Sequence, residues 1–366
     1  MEPNRLWGKR EDMIVHEWSP FNAEPPRRAL AAGDITDVAA FYSRNHGPIP
    51  DLATEDWLLT VGGLVREPLS LTFDELTARF PGYTEVATLQ CAGNRRAGFN
   101  EIRRIDGEDP WGPAATSTAQ WRGARLADVL AAAGVSGGRH VAFSAPDVSE
   151  LASPAQPYGA SIPLPKALAG EVLLAWEMNG EPLRRIHGGP VRVVVPGYVG
   201  ARSVKWVTAV TVQPEPSDNY FQARAYRILP PGADPDAAAP GEGISLSSVV
   251  LNCDILMPDE GALVAAGPLR VGGYAFAGDD RGIARVDVSA NGGCTWQLAE
   301  LGPERARWAW RLWSATVDVH PGPVSVTARA WDTIGATQPE SAASLWNPKG
   351  YANNSWAHLH LRAHAT

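Results

Sequence analysis

The stretch LPPGADPDAAAPGEG, Leu229 to Gly243, divides the chain. Rich in Pro, Gly, Ala and Asp, it offers almost nothing to bury, which is the composition of a connector. It sets a first domain at 1–232, a linker at 233–243 and a second domain at 244–366. Upstream, helical and strand patterns alternate. DWLLTVGGL, Asp56 to Leu64, reads as a strand with a Gly turn, and Leu71 to Phe80 as a short helix opened by a capping box between Thr72 and Glu75. Tyr83 to Leu89 alternates as a strand that delivers Cys91 at its end. A second helix, Arg125 to Ala133, stops at Gly134, and strands are expected at Arg139–Phe143, Val191–Val195 and Ser203–Val212. The first 25 residues, polar and punctuated by Pro, read as a coil lying on this domain.

Downstream the texture changes to short strands at even spacing. Ala284, Val286, Val288 and Ala290 fall on one face, and Arg285, Asp287 and Ser289 on the other. The hairpin signal Asn291-Gly292-Gly293 follows, then WRLWSATVDV and VSVTARAWDT. Strands without a convincing helix predict a β-sandwich, so the fold class is α+β, a mixed domain followed by a sandwich. Trp308, Trp310, Trp313, Trp331 and Trp356 are expected to fill the sandwich core and its interface, and His358 and His360 to be solvated strand residues.

Composition excludes several classes. With 366 residues, 45% of them hydrophobic, the chain has material for two cores. A net charge of −8 argues against a nucleic-acid binder. No apolar run approaches a membrane span, about 18 residues. MEPNRLWGKREDM has no apolar export region, so a cytoplasmic location is expected, with a periplasmic one left open. Three cysteines do not make a disulfide framework, and Cys253 and Cys294 read as reduced thiols.

The cations are unevenly placed. Arg184 to Lys205 carries five and no carboxylate, and Cys91 to Arg104 carries four arginines against one glutamate. An acidic protein that gathers positive charge in this way surrounds an anion. Within the second stretch, Cys91 follows a strand and precedes small residues and Arg95-Arg96, a setting that admits a ligand closely and favours a thiolate. Taken alone, such a cysteine reads as an inert buried thiol. Arg103 and Arg104 read as a solvated loop.

TLQCAGNRR, preceded by FYSRNHGPIP and followed by YGASIPL, EVLLAWEMNG and HGGPVRVVVPGYVGARSVKW, resembles the sulfite oxidase family of molybdenum enzymes. RVDVSANGGCTW, WAWRLW and WNPKGYANNSWAHLHL extend the likeness through the second domain, in order and with similar spacing. The resemblance implies a mixed α+β molybdopterin-binding domain and an immunoglobulin-like domain used for homodimerisation. It implies Cys91 as the thiolate on molybdenum, a role suited to a soft ligand beside dithiolene sulfurs. The cofactor site it implies is Tyr42, Ser43, Arg44, Asn45 and His46, then Asp147, His187 and Arg192, then Ser203, Val204 and Lys205. A buried phosphate gives Arg192, Ser203 and Lys205 a physical role, and Asp147 reads as an acceptor for pterin N–H groups.

The implied substrate pocket is Arg44, Arg96, Trp111 and Tyr226, to which Lys349 adds a cation. The family has WNLRG where this chain has Trp346 to Gly350 as WNPKG, so Lys349 gives up the bidentate fork of an arginine. The implied activity is oxidation of sulfite to sulfate at a cysteine-ligated dioxo-molybdenum centre. No C-x-x-C-H haem motif is present, so no haem is expected and electrons pass to an external acceptor, a cytochrome-like carrier or oxygen. Two alternatives stay open. The same cofactor could serve nitrate, a sulfane or a sulfoxide, or the chain could be a scaffold that kept the fold and lost catalysis.

Overall fold

The computed structural model describes residues 6–365; the first five residues of the expected N-terminal coil, and Thr366, lie outside the described residues. The chain forms a mixed α+β region followed by a β-sandwich, the fold class the sequence implies.

The first region is built on two sheets. One orders Glu181–Pro182, Leu173–Met178, Thr116–Arg125 and Gly82–Gln90, with Arg192–Val194 also pairing Leu173–Met178. The other orders Leu69–Thr72, Leu58–Gly63, Ala209–Gln213, His140–Ser149 and Gln156–Pro163, and its Leu58–Gly63 and Ala209–Gln213 strands run parallel. Helices are short and set by local chemistry. Thr72 caps Phe73–Arg79 with the full box, its Oγ1 accepting from the Glu75 amide while Glu75 accepts from the Thr72 amide. Leu126–Ala133 ends on Gly134, whose φ of +66° is left-handed and costs an L-residue energy that glycine avoids. Leu126, Val129, Leu130 and Ala133 place its apolar face on the core.

The sandwich packs a four-stranded sheet (Asn252–Met257, Gly267–Phe276, Arg311–Val319, Glu300–Leu301) on a five-stranded one (Leu263–Ala265, Ala357–His364, Gly322–Asp332, Ile283–Ser289, Gln297–Leu298). Ala357, Leu359, Leu361 and Ala363 alternate inward, while His358 and His360 are exposed as expected. Among the described residues no helix is long and apolar enough to cross a membrane.

Several expectations are corrected. The N-terminal coil contains an antiparallel hairpin, Ile14–Trp18 with Phe21–Glu24, and all four residues of its second strand are buried. The proline-marked turn between them is too tight to leave a sequence signal of two strands. The strand expected from Ser203 begins only at Ala209, because Gly200–Arg202 makes a 3₁₀ turn and Ser203 and Lys205 face a cleft. The alternation at 284–290 is broken by a bulge between Ile283 and Arg285, which leaves Ala284 exposed. Asp287 is fully buried there because Arg285 (2.6 Å) and Arg329 (3.3 Å) neutralise it. Among the tryptophans only Trp313 joins the sandwich core. Trp308 packs into a first-region cluster, Trp310 stacks on Tyr274 at 5.5 Å in a cluster shared by both regions, and Trp331 and Trp356 lie against Arg329 outside the core. Finally, the connector does bury side chains, Leu229 and Ala238, and Ile244–Ser245 turns back to pair with Arg227–Ile228.

Candidate active site

The strand Gly82–Gln90 pairs antiparallel with Thr116–Arg125, and the ladder ends where the Cys91 amide donates to Ala115 O at 2.8 Å. Past that point the chain leaves the sheet, and Cys91 sits buried in the wall of a polar cleft. The opposite wall is the 42–46 segment, which is held by the unexpected N-terminal hairpin. Ser43 and Ala23 exchange backbone hydrogen bonds, Asn45 N donates to Asn22 Oδ1 at 2.6 Å, and Asn45 Nδ2 donates to Phe21 O at 2.5 Å. Glu24, from the same hairpin, accepts from the amides of Gly112 (2.6 Å) and Ala114 (3.0 Å) and pairs with His16 Nε2 at 2.8 Å. One buried carboxylate thus fixes the loop that carries Trp111 towards Cys91.

The cleft brings together most of the residues implied by the resemblance. Tyr42, Ser43, Arg44, Asn45 and His46 line it with Cys91 and Tyr226. Asp147, His187, Arg192, Ser203 and Lys205 line its other end. Val204 does not: its side chain is in the core and its carbonyl accepts from Val193 N. Arg96, Trp111 and Lys349 lie outside the lining. Trp111 is fully buried in the cluster that holds Tyr42 and Cys91, and its Nε1–H has no acceptor among the described residues. Arg96 reaches Glu108 (3.2 Å), Asp109 O (2.8 Å) and Lys349 O (3.0 Å), and Lys349 Nζ meets Glu108 at 2.7 Å. Arg95 turns away from Cys91 altogether. It adopts φ +65° and pairs with Asp254 of the sandwich at 2.7 Å, so it joins the two regions. Arg103 and Arg104 are both exposed in the loop, as expected, and Arg103 places its guanidinium 3.2 Å over the Trp346 ring.

Electrostatics assign the roles. Burial raises the Cys91 thiol above its ordinary value, opposed by Arg96, Arg44 and the Gly93 amide, which donates to Sγ at 3.4 Å. Free, it is a thiol at neutral pH; a metal that takes the proton's place would bind the thiolate. Burial pulls Arg44 down, but Tyr226, Asp109, Cys91 and Glu108 outweigh it and hold the guanidinium firmly charged. Tyr226 is raised by burial, so its hydroxyl stays protonated; it lies 2.5 Å from His46 Nε2, and burial beside Arg44 and Lys205 keeps that imidazole neutral.

The far end of the cleft is built for an anion. Burial lowers Arg192 to about 10, and lowers Lys205 well below the usual lysine range with help from Arg192. Arg192 donates to the carbonyls of His187 (2.8 Å) and Ser203 (2.9 Å), and Lys205 to Asn45 Oδ1. A further cation, Lys9, was missed from sequence. It is buried and donates to Val38 O and Phe41 O, both at 2.7 Å, with His187 Nε2 at 2.5 Å. None of Lys9, Arg192 and Lys205 has an ion-pair partner among the described residues. Asp147 is the exception in sign: burial raises it to about 7, opposed by Lys205, and its Oδ1 has no hydrogen-bond partner. Gly200 completes the cradle, since a Cβ there would lie 2.8 Å from the Tyr42 hydroxyl.

Unpaired buried cations, an orphaned carboxylate oxygen and a buried thiol in the wall fit a phosphate-bearing, N–H-rich cofactor that brings a metal to Cys91. Glu108, Asp109 and Glu24 were also missed, since nothing local marks them. Lys9 did leave a signal: among 32 Lys and Arg residues the chain has only four lysines, and three of them (Lys9, Lys205, Lys349) sit at or beside this site.

Residues 46–221 match the family described as oxidoreductase molybdopterin binding domain, and residues 245–364 the Mo-co oxidoreductase dimerisation domain. The chain is 39% identical to a sulfite oxidase of Arabidopsis thaliana, covering 97% of this chain and 95% of that protein. It is 42% identical to the mitochondrial sulfite oxidase of Mus musculus over 95% of its own length and 65% of that protein, so it spans about two thirds of the mammalian relative. Among solved structures it is similar to the sulfane dehydrogenase SoxCD from Paracoccus pantotrophus, with a TM-score of 0.81 and 29% identity over 95% of this chain and 87% of that one.

Proposed function

The chain belongs to the sulfite oxidase family of molybdopterin-binding oxidoreductases, and from that premise we propose that it oxidises sulfite to sulfate and passes the electrons to an external acceptor, as a homodimer. The observation that carries the reading is the convergence of Cys91, Arg44 and Tyr226 at one end of a cleft whose other end holds Lys205, Arg192 and His187.

Bound there, the molybdenum cofactor would supply two-electron oxygen-atom chemistry. Cys91 would hold the metal, with Arg96, Arg44 and the Gly93 amide stabilising the thiolate. Arg192, Lys205, Ser203 and His187 would hold the phosphate, and Asp147 Oδ1 would accept from the pterin. Arg44 orients the oxyanion by charge-assisted hydrogen bonds. His46 Nε2–H donating to the Tyr226 oxygen would leave the Tyr226 hydroxyl proton free to donate into the pocket. Arg96 and Lys349 extend the positive field towards the mouth.

The test is molybdenum per protomer together with sulfite-dependent reduction of an artificial acceptor, on the parent and on Cys91→Ser. Near-stoichiometric metal with turnover, lost in a folded Cys91→Ser, supports the proposal. A second reading, a sulfane or another oxyanion as substrate, is favoured by Lys349 standing where the family carries arginine, and by the likeness to the sulfane dehydrogenase. On a panel of substrates, sulfite turning over slowest would sink the first reading and leave the second.

A further inference from the structure

We propose that Glu108 is a built-in anion that competes with the substrate oxyanion for Arg96 and Lys349, and so sets how tightly the pocket holds that oxyanion. The inference rests on reading the site as one for small oxyanions.

Two cations lie beside the cleft on one carboxylate. Arg96 Nη2 is 3.2 Å from Glu108 Oε2, and Lys349 Nζ is 2.7 Å from Glu108 Oε1. The two cations are tied together independently of it, because Arg96 Nε donates to the Lys349 carbonyl at 3.0 Å. The arrangement is graded in depth: the Arg96 side chain is 3% exposed, Glu108 13% and Lys349 21%. Glu108 is therefore more exposed than the guanidinium it holds and less exposed than the ammonium.

Its charge also reaches the reacting end of the cleft. Arg44, Tyr226 and Tyr351 all feel it, while Arg96 and Arg44 are the charges that bear most on Cys91. Arg44 has a carboxylate of its own, Asp109, at 3.9 Å. Arg44, Arg96 and Lys349 thus face Glu108 and Asp109, and Glu17 also bears on Arg44. A dianion arriving here finds cations already largely compensated, and full engagement of Arg96 and Lys349 requires it to displace Glu108.

Lysine at 349 suits an exchangeable contact. An ammonium is a point charge on a flexible stem that can pivot from one oxygen to another, whereas an arginine fork would be locked bidentate on the carboxylate. Glu108 sits in the loop between Arg104 and Trp111, whose neighbour Arg103 is pinned to the Trp346 ring and to Pro231 O. The loop is anchored at that end, so a side-chain swing of Glu108 is enough to release the pair.

The experiment compares the molybdenum-loaded parent with Glu108→Gln, Lys349→Met and the double variant. Two readouts are used: the concentration of sulfate, the product oxyanion, that half-saturates a shift of the thermal midpoint, and steady-state kinetics with sulfite. Glu108→Gln is expected to tighten sulfate about tenfold, which is about 1.4 kcal/mol, and to lower KM for sulfite similarly while kcat stays within about threefold. Lys349→Met, which leaves Glu108 wholly to Arg96, is expected to weaken both about tenfold. The double variant should return to within about threefold of the parent, since each change then acts on the same competition. A purely structural Glu108 would instead lower stability with no gain in affinity, and unchanged or weaker sulfate binding in Glu108→Gln would overturn the proposal. If that variant does not fold, failure of the double variant to recover affinity over Lys349→Met overturns it equally. A protein that binds sulfate more tightly after Glu108→Gln yet never oxidises sulfite would retain this inference and defeat the proposed activity.

Discussion

Asp147→Asn is expected to flatten the pH dependence of stability in the cofactor-free protein. Asp147 is 5% exposed, its Oδ1 has no partner, and burial raises its pKa from 3.8 to about 7 against the pull of Lys205. Between these values the native state holds a proton that the unfolded chain has released. Unfolding free energy therefore falls as pH rises through that window, is highest below about 4, and levels off above about 7. Each tenfold difference in proton affinity between the two states is worth about 1.4 kcal/mol, so the loss across the window has a ceiling of about 4 kcal/mol. The assay is urea unfolding of protein made in a host that cannot synthesise the pterin, at half-unit steps from pH 4.5 to 7.5. Subtracting the Asp147→Asn curve cancels every other titrating group. The difference should open as pH rises from 4.5, the parent falling below Asp147→Asn. In the loaded protein, pterin N–H donors would favour the carboxylate and the difference should vanish. A parent that gains stability from pH 4.5 to 7 relative to Asp147→Asn would refute the reasoning, because it would mean that Asp147 is already paired without the cofactor.

Three further outcomes follow from single contacts. Lys9→Met removes the donor that fills His187 Nε2 and one of the buried cations, so cofactor retained after gel filtration should fall about tenfold, the cost of one hydrogen bond to a charged group; metal analysis reads this directly. Glu24→Gln cannot accept from Gly112 N, Ala114 N and His16 together, and should cost about 2–3 kcal/mol, seen as faster hydrogen exchange at the amides of residues 112 and 114. Arg95→Met leaves the buried Asp254 with only the longer Arg27 contact, at 3.9 Å, and should cost at most about 3–5 kcal/mol in urea unfolding; adding Asp254→Asn should recover much of it, and strict additivity would mean that the two do not interact.

The parts of this molecule that were legible in its sequence are those fixed by neighbours in the chain. The Thr72–Glu75 box spans three residues, Gly134 is the left-handed cap directly after its helix, and the alternation of Tyr83 to Leu89 brings Cys91 to a sheet edge. Each rests on a local rule that a single segment obeys. The cofactor cleft was legible by resemblance, and its cations by their unusual density between Arg184 and Lys205. What could not be read depends on partners far apart in the chain. Lys9 meets His187 across 178 residues, and Glu24 meets Gly112 across 88. Arg95 and Arg96 are adjacent in sequence, yet the first turns to the sandwich and the second to Glu108, because a left-handed backbone at Arg95 sends the side chains apart. Asp287 reads as a solvent-facing residue in its strand and is buried only because two arginines come to it.

The same long-range contacts explain why the cleft holds its cations on neutral groups. Lys9 and Arg192 donate mostly to carbonyl oxygens, and Lys205 to an amide oxygen and a carbonyl. Carbonyls satisfy the hydrogen-bonding needs of a cation without cancelling its charge, whereas a carboxylate does both. At the substrate end the choice is the opposite: Arg44, Arg96 and Lys349 face Asp109 and Glu108. A cofactor that stays bound for the life of the protein gains from a field left uncompensated, because its own charge completes the site once. A substrate that must leave as product at every turnover gains from cations already partly neutralised, since tight binding of the product oxyanion would slow release. The division between carbonyl-held and carboxylate-held cations therefore follows the residence time that each end of the cleft requires.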